Sequence, residues 1–337
     1  MSSELPSFRL LGLLALACLP SVLSIPTSYC NWQNGINVTT LGLVPGTKSL
    51  ENIAIRHNGN ILVTSVSSST LFGLSSQGNH PPVPVAQVAG VTGLLGITEL
   101  EMDIFYVVGS NLTSTESSNG VWRVDLRNFQ VSQNGTILQP ASVSLVTRVP
   151  SALQLNGMTR LSMNNTKSLL ISDSSRGTVI HLDVDTGKYE TAIQEPEMAS
   201  LSTGLGIGVN GIRIRDSNLY FVSLDQGLFA RVPISLASGT TSGPVETLAS
   251  NIPFGDDFAL SEDGQWAYVA TNGPQEVIGI DLIRGGDFIV ASSPLLGSAS
   301  SVAQEQRHAR KGLYVTGATS SSGNSTTGHV SRISLEC

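Results

Sequence analysis

A single strand–turn–strand pattern occurs six times along the 337 residues, and no other feature restricts the fold of such a chain so strongly. The copies open at Glu51 (ENIAIRHNGNILVTS), Leu95 (LGITELEMDIFYVVG), Asn156 (NGMTRLSMNNTKSLLISD), Asn210 (NGIRIRDSNLYFVS), Asp256 (DDFALSEDGQWAYVAT) and Ser300 (SSVAQEQRHARKGLYVTG). Successive starts lie 44, 61, 54, 46 and 44 residues apart, the period of a four-stranded propeller blade rather than of a helical repeat. A third strand follows in every unit: TLFGLS from Thr70, VWRVDL from Val121, TVIHLDV from Thr178, LFARVPI from Leu228, EVIGIDL from Glu276 and HVSRISL from His329. These runs alternate apolar and polar residues and are enriched in β-branched and aromatic side chains, as half-buried strands are. The turns HNGN, DSN and EDGQ supply Asn, Asp and Gly where the backbone needs positive φ. The pattern predicts an all-β fold, a six-bladed β-propeller with four-stranded antiparallel blades.

Radial repetition removes the need for one large core, because each sheet packs mainly on its neighbours. A single propeller domain over 25–337 is therefore expected despite the length. The low charged fraction of 13%, the 34 glycines and the 40% apolar content suit a turn-rich β globule and exclude disorder. A net charge of −7 offers no basic surface, which excludes nucleic acid as a partner. Small-molecule substrates are the expected partners, and oligomeric state is left open.

Residues 1–24 have the layout of a cleavable secretory signal: Arg9, an apolar run from Leu10 to Leu19 too short to span a bilayer, then Pro20 and the small Ser24. After its removal no stretch is long enough for a membrane span. Five sequons agree with that route, at Asn37, Asn111, Asn134, Asn164 and Asn324. The expected location is the secretory pathway, outside the cell or in a secretory or vacuolar compartment. Removing the signal also removes Cys18 and leaves Cys30 and Cys337, one near each end. A propeller brings its ends together, since the first strand usually completes the last blade. A Cys30–Cys337 disulfide is therefore expected, worth about 4–5 kcal/mol in the chain-entropy model.

In such a ring the innermost strand of each blade runs along the central channel, so the first residues of the copies fall at equivalent positions around its mouth. In blade order these are Glu51, Leu95, Asn156, Asn210, Asp256 and Ser300. Two carboxylates and two amides converge, an oxygen-rich set that suits one divalent hard cation, Ca²⁺ or Mg²⁺, rather than zinc or copper. The bland alternative is that these groups cap turns and hold channel water. The five histidines show no HxxxH or HExxH spacing, so a zinc site is disfavoured. Gly206 to Gly211 matches GxGxxG but runs into a strand instead of opening a helix, so no dinucleotide site, and no organic cofactor, is expected. The long connections around His80 and Gln194 carry apolar residues, and Met198, Leu201, Leu205, Pro253 and Phe254 are candidates for an apolar wall above the polar ring.

At the copies beginning with Glu51, Asn156, Asn210 and Asp256 the sequence resembles the gluconolactonase/regucalcin-like six-bladed propellers, and the resemblance covers essentially all of the chain after the signal. It implies that Glu51, Asn210 and Asp256 are metal ligands, that Asn156, in LNGM, contacts substrate, and that Asp256 is the general base of the lactonases. Asp257 stands where that family usually has glycine. The wording SLENIAIRHNGNILVTS, TGLLGITELE, LNGMTRLS, VNGIRIRDSNLYF and DDFAL is closer to a fungal secretory branch. That branch includes hetero-Diels-Alderases of tropolone–sesquiterpene biosynthesis, which join an o-quinone methide to a humulene-type terpene.

The resemblance thus implies an enzyme of fungal secondary metabolism, a hetero-Diels-Alderase with Asn156 and Asp256 as catalytic residues and Asn156, Asn210 and Phe254 binding substrate. A divalent-metal-dependent lactone hydrolase is the alternative on the same residues. A third reading is a non-catalytic binding propeller, because the fold alone assigns no function.

Overall fold

The computed structural model of the chain describes residues 36–112, 118–305, 312–320 and 325–335. The expected signal segment, Cys30, Cys337 and Asn324 lie outside the described residues.

Strand β1 (Asn37–Val44) is set aside at first, and the blades then follow in chain order. Blade 1 contains β2 (Ile53–Ile55), β3 (Ile61–Ser65), β4 (Ser68–Leu74) and β5 (Val83–Gln87). Blade 2 contains β6 (Gly93–Glu101), β7 (Ile104–Ser110) and β8 (Gly120–Asp125). A small hairpin, β9 (Gln130–Val131) with β10 (Ile137–Gln139), interrupts it before the outer strand β11 (Ser142–Arg148). Blade 3 is β12 (Leu155–Arg160), β13 (Ser168–Asp173), β14 (Thr178–Asp183) and β15 (Tyr189–Ile193). Blade 4 is β16 (Val209–Arg215), β17 (Asn218–Ser223), β18 (Leu228–Pro233) and β19 (Glu246–Ser250). Blade 5 is β20 (Gly255–Leu260), β21 (Trp266–Thr271), β22 (Glu276–Asp281) and β23 (Asp287–Ser292). Blade 6 takes β24 (Ser301–Gln304), β25 (Gly312–Ser320) and β26 (Thr326–Ser334), and β1 completes its outer edge by pairing antiparallel with β26, Asn37 opposite Ser334. All six blade sheets are four-stranded and antiparallel, as the repeat predicts, and the β9–β10 hairpin forms a separate two-stranded sheet.

Each hydrophobic cluster joins two adjacent blades, which is why the second strands read as continuous apolar runs. Along β17, Leu219 and Phe221 face the cluster shared with blade 3, while Tyr220 and Val222 face the one shared with blade 5. Period two distributes one strand between two cores. Truncating the fully buried Phe221 to Ala is expected to cost about 3–5 kcal/mol, since neither blade can collapse onto the gap alone. A buried ion pair adds a polar link between blades 1 and 2: Arg56 Nε and Nη2 each donate to the Asp103 carboxylate at 2.8 Å.

Four inner strands are bulged at the repeat's first residues, with register breaks at Leu94/Ile97, Leu155/Met158, Val209/Ile212 and Gly255/Phe258. Glycine follows the first residue in three of them because the next blade sits against that atom. A Cβ on Gly96 would overlap the Asn156 carbonyl, one on Gly157 the Asn210 carbonyl, and one on Gly211 the Asp257 side chain. Hydroxyls hold the remaining joints: Thr64 Oγ1 donates to the Leu95 carbonyl at 2.6 Å, and Ser301 Oγ to the Asp257 carboxylate, beside the first residue of blade 5, at 2.7 Å. Thr316 Oγ1 donates to the Glu51 carbonyl at 2.8 Å. The repeat's opening residues therefore form a continuous ring of contacts.

Candidate functional site

The antiparallel blades put two sets of connections on one face: those that enter the inner strands and those that join second to third strands. The axial ring lies just below this face. Asp256 is buried at the start of β20, with Asn210 Nδ2 donating to its Oδ1 at 2.6 Å and Asn272 Nδ2 to its Oδ2 at 2.8 Å. Burial, and then the neighbouring Asp257 charge, push the Asp256 carboxyl up to about 7, against the lowering effect of the two amide bonds. Glu51 is held well above the usual carboxylate range by burial and by the charges of Asp256 and Asp257. Its backbone is fixed by Thr64 and Thr316, while no hydrogen bond to its carboxylate is made among the described residues. Asn156 is buried at the start of β12, and its Oδ1 has no hydrogen-bond partner.

Of the predicted ring, Glu51, Asn156, Asn210 and Asp256 supply its polar side chains, whereas the other two positions have different roles. Leu95 belongs to the cluster between blades 2 and 3. Ser300 Oγ donates to the Leu50 and Glu51 carbonyls at 3.0 and 2.9 Å and fastens blade 6 to blade 1.

One participant, Asn272, escapes the sequence reading, and a second, Asp257, is read there only as a departure from glycine. Asn272 lies on the connection from β21 to β22 and becomes a neighbour of Asp256 only when blade 5 folds. Asp257, which departs from the resembled family, is buried, and its Oδ2 is bonded by Arg213 Nη2 and Ser301 Oγ, both at 2.7 Å. Its Oδ1 has no partner.

Above the ring, Phe254 is 50% exposed at φ 51° and lies against Gly273, with its carbonyl accepting from the Asn272 amide. Leu112, Leu153, Leu201, Leu205 and Leu295 are exposed on other connections of the same face. The 201–207 loop is shaped by Asp225, whose carboxylate accepts from the backbone amides of Leu201, Leu205, Gly206 and Ile207 at 2.7–3.1 Å. Pro253 is exposed as well. Met198 is not part of this rim: it is fully buried in the cluster between blades 3 and 4, because the short 3₁₀ turn Pro196–Met198 turns it inward. Among the sequons, Asn37, Asn134 and Asn164 are exposed and Asn111 is half-buried, with its Oδ1 accepting from Thr92.

No protein-family model matches the chain. It is 28% identical over 309 residues to a Phoma protein named "Putative hetero-Diels-Alderase", covering 81% of this chain and 84% of that one. A Sarocladium schorii protein of the same name is 28% identical over 266 residues, covering 72% of this chain and 60% of its relative. The resemblance read from the motifs holds. Among solved structures the fold is similar to that of regucalcin, a calcium-binding protein from Agrobacterium tumefaciens, with a TM-score of 0.57, 16% identity and coverage of 88% and 94%. At that identity the likeness concerns the fold alone. No helix among the described residues is long and apolar enough to cross a membrane.

Proposed function

We propose that the chain is a hetero-Diels-Alderase-like enzyme of fungal secondary metabolism, joining a tropolone- or polyketide-derived o-quinone methide to a terpene alkene at the axial mouth. The names of its two relatives support an enzyme of this kind. The observation that carries the reading is a polar floor with an unpartnered amide oxygen, Asn156 Oδ1, below a rim of exposed apolar side chains. Such a rim holds two apolar reactants together, and a near-attack arrangement is worth up to about 7–11 kcal/mol. Asn156 Oδ1 then accepts from the ring hydroxyl of the precursor, and the Nδ2 groups of Asn156 and Asn210 donate to the quinone methide oxygen as charge builds on it.

A carboxyl poised near 7 also suits the step that generates the diene. Asp256 gives its proton to the leaving hydroxyl, the C–O bond breaks and water departs. The ring hydroxyl proton then returns to the carboxylate.

The same donors fit a hard cation. Glu51, Asn210 and Asp256 would hold it, its charge offsetting the burial and the neighbouring carboxylate charge that raise both carboxyls, and when bound it would polarise a substrate oxygen. Among the described residues no three His, Cys, Asp or Glu side chains gather into a metal cluster, so amide oxygens must complete the set. The second reading, a metal-dependent lactone hydrolase, is favoured by Asp256 itself, since a carboxylate near 7 is an effective general base at neutral pH.

Incubation of the protein with precursors of both kinds tests the reading. The expected result is a product stereoisomer ratio different from that of the uncatalysed reaction, and its loss in Asn156→Ala. An unchanged ratio refutes cycloaddition, and lactone turnover abolished by chelator would establish the alternative.

A further inference from the structure

The opposite end of the channel carries a second opening. The far ends of β2, β16, β20 and β24 line an open cavity of about 660 Å³ whose wall is divided about equally between polar and apolar surface, the apolar part including Ile55, Met163, Ile214 and Leu260. Arg215 on its wall lies five residues beyond Asn210 along β16, roughly 15 Å from the axial ring at about 3.3 Å per residue. The two openings are therefore separate places.

Four charged side chains line this cavity, and three are accounted for. Arg213 is committed to Asp257 at 2.7 Å. Glu305 accepts from Arg332 at 2.8 Å and from Tyr314 at 3.1 Å. Glu262 is exposed to solvent. Arg215 is different: its Nη1 is fully covered and has no hydrogen-bond partner, and no carboxylate pairs with it among the described residues. Arg213 and Arg215, two residues apart on one strand, both turn toward blade 5, where Arg213 meets Asp257 and Arg215 lies against the Gly264 turn. Arg215 Nη1 is thus shielded without a partner while the rest of the side chain is half-buried on the cavity wall, where its remaining donors can take an anion.

We propose that this cavity is a second binding site, for an amphipathic anion whose carboxylate pairs with Arg215 while its aliphatic part lies along the apolar wall. A monoanion fits better than a phosphate dianion, because one guanidinium is unpaired and Glu262 stands on the same wall. Arg213, which lines this cavity and reaches Asp257, stands between it and the axial ring.

Calorimetric titration with decanoate tests this on the full chain. One decanoate per chain should bind, and decanol should bind at least about tenfold more weakly, since the charge-assisted bonds are missing. Arg215→Gln should weaken decanoate by about tenfold or more. Met163, which lines the cavity and is 78% exposed, provides a variant that leaves the core untouched: Met163→Glu should weaken decanoate several-fold by like-charge repulsion. Asn156→Ala at the axial ring should bind decanoate as the parent does. The proposal is overturned if no saturable binding occurs, if decanol binds as well as decanoate, or if Asn156→Ala abolishes binding. It is also overturned if Met163→Glu, and Arg215→Gln where it folds, bind like the parent.

Discussion

Asp256→Asn separates the electrostatics of the axial ring from its hydrogen bonding. In the folded protein the Asp256 carboxyl is pushed up to about 7, whereas in the unfolded chain it titrates near its ordinary value of about 4. A folded pKa raised in this way means that the native state keeps a proton the unfolded state has already released. Stability therefore falls as pH rises between those two values. At 1.36 kcal/mol per pKa unit the full effect is about 4 kcal/mol, reached once pH exceeds about 7, and burial leaves little solvent to screen it. The Asn variant carries no charge but also turns one accepting oxygen into a donor. It thus loses one of the bonds from Asn210 or Asn272, at about 1 kcal/mol. The two proteins should be nearly equal in stability at about pH 5, with the variant ahead by about 3 kcal/mol at about pH 8. Urea unfolding in the presence of chelator, at both pH values, measures this directly. A difference that is the same at both pH values, or a variant that is the weaker protein at about pH 8, refutes the reasoning.

If the ring takes a hard cation, Ca²⁺ at 100 times its Kd should stabilise the parent by about 2.7 kcal/mol at about pH 8 and leave Glu51→Gln almost unchanged, as thermal or urea melts would report. Gly157→Ala should destabilise by about 1–3 kcal/mol or more, because the new methyl meets the Asn210 carbonyl, and the same melts check it. Arg56→Met should cost about 3–5 kcal/mol by taking the guanidinium from the buried Asp103 carboxylate, which keeps a 3.4 Å contact with His57, and the double change with Asp103→Asn, which tolerates the positive φ at that turn, should recover part of that loss in the same melts.

The architecture was legible because blade strands obey a simple alternation and their turns carry recognisable residues. Phe221 and Val222, which face different blades, both fit an apolar run with no ambiguity about the strand. At the ring the alternation fails. Four of the six first residues sit in a bulge and the other two precede their strands, so side-chain direction depends on local geometry and not on counting. Thus Asn156 and Asp256 reach the polar floor, while Leu95 enters a core and Ser300 becomes a fastener. Asp257 could be seen to depart from glycine. Its pairing with Arg213 and Ser301 arises from strands some 44 residues away on either side, which no local pattern reports. Met198 was misplaced for a related reason: an apolar residue in a long connection reads as rim until the turn that buries it is known.

The pairing of β1 with β26 has a consequence for synthesis. Asn37 and Ser334, which face each other in the closed ring, are 297 positions apart in the chain. At about 5–20 residues per second a ribosome needs roughly 15–60 s to bridge that gap. Throughout that interval β1 is a finished strand without its partner, while the blades between emerge and pack one after another. An unpaired strand of this kind invites pairing with other chains. The last step of folding is therefore timed by translation, and the vulnerable moment of this protein comes before its final strand exists.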